Sequence, residues 1–242
     1  MTDTCLDRVQ RHDYERYLTT LFVPYRCRAP LWALYAFNLE IAKTREVTTQ
    51  ATIGLIRLQW WRDAVKRLFE GKADKHDVIQ ALATAMGGGV KWREADFQTL
   101  IDARESDLYD DQPSEKEFWR YCEQTSAPLL SLAMQASGEE EGEEEKEARL
   151  QIGQAYAAIG LLRASGYFHA QNRYALPALT NAQMADAIEE KTHPKPHSKT
   201  LRLYRVLTRI HLKQLRRAGL NADAPSFVRQ DPLLALKLWL CR

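Results

Sequence analysis

The sequence contains few cysteines, and they show no pairing pattern. The four, Cys5, Cys27, Cys122 and Cys241, lie far apart in 242 residues and form no Cys-x-x-Cys pair. A disulfide-rich secreted scaffold or a structural zinc site would need closely spaced cysteines, so both classes are excluded. The cysteines instead predict buried or incidental thiols in a reducing compartment.

A strong excess of either charge is also missing. The 34 basic and 32 acidic residues nearly balance to a formal charge of +2, which argues against a general nucleic-acid-binding protein. Met1–Gln10 carries Asp3 and Asp7 without an apolar core, unlike a secretory signal or an acid-poor transit peptide. No apolar run approaches the length of a membrane span. We therefore expect a soluble, cytoplasmic protein.

Two motifs lack the context that would give them chemistry. The glycines Gly87, Gly88 and Gly89 are followed by no Lys-Ser/Thr pair and preceded by no strand pattern. They therefore predict a turn and not a phosphate loop. His193 and His197 flank a Pro-Lys-Pro turn without Cys or carboxylate partners at ligand spacing, so we favour a plain loop there over a metal site.

The stretch Leu31–Val47 predicts the central helix of the fold. It follows Pro30, a residue tolerated in the first turn of a helix, and no Gly or Pro interrupts it. Its apolar residues recur at helical spacing, and its charged side chains cluster at the end: Lys43, Arg45 and Glu46. We interpret it as a core helix whose polar end lies at a cavity mouth. A core helix with a merely solvated last turn is the alternative.

Apolar residues at helical spacing continue along most of the chain, and no segment alternates with the period of a strand. Besides the central helix, the predicted helices are Tyr14–Phe22, Thr49–Glu70, Asp77–Ala85, Arg93–Leu108, one beginning at the Ser114–Glu117 capping box, Ala148–Ser165, Thr180–Glu190, Ser198–Ala218 and Pro232–Trp239. We therefore predict an all-α helical bundle of about eight to ten helices, with one domain over residues 1–242.

The predicted helix Thr49–Glu70 has a candidate buried side. The apolar residues assigned to this side are Ile53, Ile56, Trp60, Ala64, Val65 and Leu68. Gly71 is expected to stop the helix.

Three later segments have a biased composition. The acidic run Glu139–Glu147 predicts a solvated loop that leads into a helix start, with an acidic docking patch as the alternative. Ala148–Ser165 is rich in small residues, which let helices approach closely or leave a cavity between them. Lys199–Arg217 is basic and amphipathic; it is either a solvated face or a surface for an anionic membrane.

Several stretches also carry a resemblance that covers nearly the whole chain. They are Arg16–Pro24, Trp32–Phe37, Leu58–Asp63, Ile101–Asp107, Tyr121–Cys122, Gly153–Arg163 and Arg173–Pro177. In this order they resemble the squalene/phytoene synthase family. The resemblance implies an isoprenoid-synthase fold around a central cavity, and an activity that joins two prenyl diphosphates head to head with the help of Mg²⁺.

The sequence departs from the family where the metal is held. In the family, two Asp-x-x-x-Asp motifs meet Mg²⁺ and diphosphate, but here Ala42 and Glu46 match the first motif. Ala164 and Phe168 match the second. Alanine and phenylalanine supply no oxygen ligand for a hard cation. Other departures are Ala157 and Gly160 at an amide pair, and Glu15 at a serine that meets diphosphate. We therefore predict no stable Mg²⁺ site, no cofactor, no catalytic residue and no head-to-head coupling.

Other positions keep the family pattern or could serve a cavity. The candidate cavity or anion-binding residues are Asn38, Lys43, Arg45, Glu46, Tyr121, Arg163 and Arg173. The stretches Ala36–Ala42 and Thr52–Ala64 are similar to a non-enzymatic branch of the family that assists the assembly of mitochondrial NADH dehydrogenase, respiratory complex I.

This resemblance implies a degenerate, non-catalytic protein. It would act as an assembly or binding factor for a membrane complex, through a complex subunit, an anionic membrane surface or a prenyl lipid, and without nucleic acid. It would be cytoplasmic or peripheral at the inner membrane. Two alternatives stay open: a prenyl transferase with a rearranged site, and a prenyl-lipid or diphosphate binder without turnover.

Overall fold

The structure is a computed structural model that describes residues 2–48, 50–140, 142–229 and 231–240, without the side chains of Thr2 and Asp3. The described residues form fourteen α-helices and one 3-10 helix, and none of them forms a strand. This result confirms the predicted all-α class. Two predicted features, the helix start at Thr49 and the thiol of Cys241, lie outside the described residues.

The helices exceed the predicted number because several are short. The α-helices are α1 (Thr2–His12), α2 (Tyr14–Thr20), α3 (Tyr25–Ala42), α4 (Thr44–Val47), α5 (Ala51–Phe69), α6 (Asp77–Gly87), α7 (Glu94–Ala103), α8 (Glu115–Ala136), α9 (Glu143–Arg163), α10 (Ser165–His169), α11 (Asn181–Glu190), α12 (Lys199–Arg217), α13 (Pro225–Val228) and α14 (Leu234–Leu240), and the 3-10 helix is Ser106–Leu108. Three helices, α1, α10 and α13, were not predicted, and the predicted helix Leu31–Val47 is interrupted at Lys43 between α3 and α4. The helix α9 begins at Glu143, inside the acidic run that was predicted as a loop, because negative charge stabilises a helix start.

The helices group into two compact units. The first comprises Met1–Tyr109 and Ser131–Glu141, and the second comprises Asp110–Leu130 and Gly142–Arg242. The single domain over residues 1–242 stays a prediction.

In the first unit, α3 is the central helix, as predicted. It packs against α1, α2 and α6, and apolar side chains are buried on nearly all of its faces, as expected of a core helix. The ring of Phe37 lies edge-on to Trp61 of α5 and Phe97 of α7, at 5.5 and 5.1 Å between centroids. This aromatic cluster holds three helices of the unit together.

The bounds of α3 differ from the prediction at both ends. The helix begins at Tyr25, with Pro24 as its N-cap, so Pro30 lies inside it and not at its start. It ends at Ala42, because Lys43 has a ψ of 4° and interrupts the helix before α4 begins. Proline normally marks a helix boundary, which is why the sequence placed the start too late.

The prediction for the buried side of α5 was wrong in its first half. Ile53 and Ile56 are exposed, at 49% and 65% of their surface, and Trp60 is also largely exposed, at 39%. The buried stripe is Gly54, Leu58, Trp61, Ala64, Val65 and Leu68. Both sets of apolar residues recur at helical spacing, so spacing alone does not show which set is buried. Tertiary packing selects the set with Gly54, because the Leu108 side chain occupies the space that a Cβ at position 54 would need.

In the second unit, α9 packs against α11 and α12 around an apolar core. The buried core residues include Phe118, Cys122, Ile159, Leu162, Met184, Ile188, Leu215 and Phe227. Burial raises the pKa of the Cys122 thiol, which fits the predicted inert, buried cysteine.

Side chains cap the starts of several helices, including the predicted capping box. Asp13 caps α2 by accepting from the amide of Arg16. Ser114 and Glu117 form the predicted capping box before α8, and Ser198 caps α12. None of the described helices is both long enough and apolar enough to cross a bilayer.

Candidate functional site

The first acidic motif of the resemblance falls on the break between α3 and α4. Ala42 is the last residue of α3, and the hydroxyl of Thr44 donates to the carbonyl of Ile41 at 2.8 Å, which supports the break. Glu46 lies on α4 and is exposed, and Arg45 beside it is half-buried. The two motif positions therefore do not lie on one continuous helical face.

A buried carboxylate, that of Glu40, lies next to this break and was not among the predicted site residues. Glu40 is only 5% exposed, and three cations surround it. Its Oε1 accepts from Lys43 Nζ at 2.5 Å and lies 3.2 Å from Arg8 Nη1, and its Oε2 accepts from Arg57 Nη2 at 2.9 Å. A buried carboxylate requires such partners, because an unpaired charge is costly in the interior.

The same cluster joins four helices of the first unit. Arg8 of α1 also donates to Asp77 of α6 at 2.7 Å, and Arg57 reaches Glu40 from α5. Burial acts to raise the pKa of Asp77, but Arg8 and the Val78 amide outweigh it and hold this pKa below its usual value. We call Glu40, Arg8, Lys43, Arg57 and Asp77 the Glu40 cluster.

Asn38 is the most deeply buried of the predicted cavity residues. It is 4% exposed on α3, and its Oδ1 has no hydrogen-bond partner among the residues that the structure describes. A buried acceptor of this kind is uncommon in native proteins. Its assignment as a cavity residue stays a prediction.

The residues at the two motif positions do not fit Mg²⁺. Ala42, Ala164 and Phe168 offer no side-chain oxygen, and the carboxylate of Glu40 is already engaged by three cations. Within the described part of the chain, no three His, Cys, Asp or Glu side chains are grouped so that they could hold a metal ion. Mg²⁺ prefers several oxygen ligands in octahedral geometry, and neither position supplies them.

At the second motif, Ala164 and Phe168 stand at the positions of the two aspartates, and the Phe168 ring contacts a nearby cation. Ala164 caps the end of α9, and Phe168 follows on α10. The Arg173 guanidinium lies over the Phe168 ring, 5.3 Å from its centroid, and its Nε lies 3.7 Å from Asp110 Oδ1. Arg173 therefore makes a cation–π contact and an ion pair within the second unit.

Arg163 takes part in a polar chain that runs from α9 to α12. Its Nη1 lies 3.3 Å from His211 Nε2, and His211 Nδ1 lies 2.9 Å from Gln214 Oε1. A guanidinium only donates, so His211 Nε2 accepts and its Nδ1–H donates to Gln214. His211 is buried, with 1% of its surface exposed.

The polar chain continues to the segment before α14. Gln214 Nε2 donates to Asp231 Oδ2 at 3.1 Å, and Lys237 of α14 also donates to Asp231. Burial acts to raise the pKa of Asp231, but Lys237 and the Leu233 amide hold it below its usual value. Tyr121, the remaining candidate, is half-buried on α8, and its role stays a prediction.

Only part of the Glu40 cluster has a signal in the sequence. Glu40 and Lys43 stand three positions apart in a predicted helix, a spacing that brings side chains together. Arg8 and Asp77 gave no such signal, because α1 was not predicted and their contacts with the cluster are distant in sequence.

The overall fold is shared with solved isoprenoid-type synthases. A dehydrosqualene synthase structure, determined in complex with a ligand, superposes with a TM-score of 0.81 at 14% identity, covering 98% of this chain and 93% of that one. This likeness establishes the class: an all-α protein with the fold of squalene and dehydrosqualene synthases.

The sequence defines the family within this class. Residues 9–230 match the family model of squalene/phytoene synthase, so the chain belongs to the squalene/phytoene synthase family.

Curated relatives carry the name of an assembly factor. The rat protein named NADH dehydrogenase (ubiquinone) complex I, assembly factor 6, is 33% identical over 178 residues, which cover 72% of this chain and 52% of the relative. The Bos taurus protein of the same name is 28% identical over 242 residues, which cover 98% of this chain and 69% of the relative. The chain thus spans about half the length of the rat relative that it matches.

Proposed function

We propose that this protein is a non-catalytic assembly factor for a membrane-bound respiratory complex of the NADH dehydrogenase type. The names of its relatives support the role. The observation that carries the loss of catalysis is the Glu40 cluster: the buried carboxylate of Glu40, beside the first motif position, is paired with three cations. A carboxylate in this state attracts no further cation.

The alternatives of prenyl transfer and of diphosphate binding find less support. Prenyl transfer needs cations that stabilise the leaving diphosphate, and three of the four motif positions hold residues without a side-chain oxygen, Ala42, Ala164 and Phe168. A metal-free diphosphate site would need unengaged cations, but Lys43 is paired with Glu40, and Arg173 with Phe168 and Asp110. We therefore propose that the protein acts through its surface. It associates peripherally with the membrane that holds the complex.

Deleting the gene is expected to lower the amount of assembled NADH dehydrogenase severalfold, since an assembly factor acts before the complex is complete. Native gel electrophoresis of membranes with an in-gel activity stain measures this amount. The amount of assembled complex is expected to recover fully when the deletion strain carries the wild-type gene or the Glu46→Gln variant. Glu46 is exposed and is the single carboxylate left at a motif position, so a non-catalytic protein does not need its charge. Unchanged assembly after deletion, or failure of Glu46→Gln alone, contradicts the proposal.

Mg²⁺ is expected to bind no more tightly than to a solvated surface carboxylate, with or without farnesyl diphosphate, because the first motif keeps one carboxylate and the second keeps none. Isothermal titration calorimetry of the purified protein measures the binding, and a catalytically active dehydrosqualene synthase titrated in parallel is the control. Micromolar binding, or coupled product in the same mixture, argues for the prenyl transferase instead.

A further inference from the structure

A group of large apolar side chains is exposed on α14 of the second unit and on the residue before it. Four large side chains are exposed there, Leu233 by 56%, Leu236 by 52%, Trp239 by 52% and Leu240 by 67%, whereas Leu234 and Leu238 are buried. We call these four exposed residues the α14 face. Single exposed apolar residues are ordinary, but a contiguous group marks an interaction site.

The buried side of α14 explains why this face points outward. Leu234 and Leu238 pack inward, and Lys237 is tied to Asp231, which also accepts from Gln214 of α12. The one charged side chain of α14 is thus directed to an internal partner. The α14 segment is linked to α12 through Asp231, which accepts from both Lys237 and Gln214, and α14 presents leucine and tryptophan to its surroundings.

The helix that contacts α14, α12, carries exposed basic side chains. Lys213 and Arg217, four residues apart, form an exposed basic stripe on α12, and Gln214 of the same helix turn contacts Asp231 before α14. Arg209 continues this exposed stripe one turn earlier. Not every basic residue of α12 joins it: Arg205 donates to the carbonyl of Thr192, and Arg216 pairs with Asp186 and Glu189.

We propose that the α14 face, together with Arg209, Lys213 and Arg217, docks the protein on the surface of an anionic lipid bilayer. Leucine and tryptophan that are exposed on a short helix suit the boundary between headgroups and acyl chains. The exposed cations of α12 complement anionic headgroups. This inference deepens the proposed function, on which it rests for its setting, by naming the surface that meets the membrane.

A second copy of this chain fits the surface less well than a bilayer does. In a two-fold dimer the same patch faces itself, so Lys213 and Arg217 would stand against a patch of the same basic charge. An anionic bilayer instead satisfies the apolar and the basic part of the surface at once.

The test is co-flotation of the purified full chain with vesicles made of equal parts phosphatidylcholine and phosphatidylglycerol. We expect binding that weakens with added salt and is far weaker on phosphatidylcholine alone. The double variant Leu236→Glu, Leu240→Glu is expected to bind at least about tenfold more weakly. Neutralising two cations with Lys213→Gln and Arg217→Gln is expected to lower binding roughly 30-fold.

The matched control is Ile53→Glu, Ile56→Glu, which places the same charges on the exposed apolar side of α5 in the first unit. This variant is expected to bind like the wild type. Equal loss in the control, or binding indifferent to both variants of the second unit, overturns the proposal. So does a dimer that Leu236→Glu, Leu240→Glu dissociates without any vesicle binding by the wild type. The vesicles hold no respiratory complex, so failure here and failure of the assembly test are separate results.

Discussion

Replacing Glu40 by alanine is expected to lower the free energy of unfolding by about 2 to 3 kcal/mol. The substitution leaves Arg8, Lys43 and Arg57 facing one another without their shared anion, and it removes a carboxylate that joins α1, α3 and α5. The estimate lies below the value for a fully buried ion pair, because the three cationic side chains are 26%, 39% and 31% exposed. Urea unfolding followed by circular dichroism measures the change.

Glu46→Ala is the matched control for Glu40→Ala, since it removes the same group from an exposed position six residues later. It is expected to change stability by less than about 0.5 kcal/mol. A second variant, Glu40→Gln, keeps the size of the side chain and is expected to show most of the loss, because charge and not volume is removed. Equal effects of Glu40→Ala and Glu46→Ala would show that the Glu40 cluster contributes nothing to stability.

The Glu40 cluster also shows why the sequence located the candidate site only in part. Alignment with family motifs directs attention to Ala42 and Glu46, where carboxylates are lost or kept. Glu40, the carboxylate that the three cations share, lies two positions before the motif, and its partners Arg8 and Arg57 come from other helices. Local spacing predicts the contact of Glu40 with Lys43 alone, because the remaining contacts depend on tertiary packing.

The fold itself was more accessible to prediction, because helix periods and caps are local. The predicted capping box of Ser114 and Glu117 needs only hydrogen bonds within four residues, and the structure contains it. The buried side of α5 could not be predicted from local spacing, because Ile56 and Leu58 both belong to sets of apolar residues that recur at helical spacing. Choosing between the stripes requires knowing that Leu108 packs on Gly54, a contact between residues distant in sequence.

Gly153→Val is expected to lower the free energy of unfolding by about 2 kcal/mol or more. A Cβ at position 153 would lie 3.0 Å from the backbone nitrogen and 3.1 Å from the Cα of Ala127. Backbone atoms of α8 cannot move aside as a flexible side chain can, so α9 would have to shift. The small residues of α9 thus serve close helix packing here, which is one of the two roles predicted for them.

Gly160→Ala, in the same helix, is expected to have the opposite sign and to raise stability by about 0.5 to 1 kcal/mol. Gly160 is exposed, and a Cβ there would meet nothing within 4 Å, so only the higher helix propensity of alanine acts. Thermal and urea unfolding of both variants beside the wild type measure the two shifts. Because helix propensity favours both substitutions, a loss confined to Gly153→Val isolates the contact with Ala127. Stabilisation by both substitutions would mean that α8 and α9 do not pack this closely in solution.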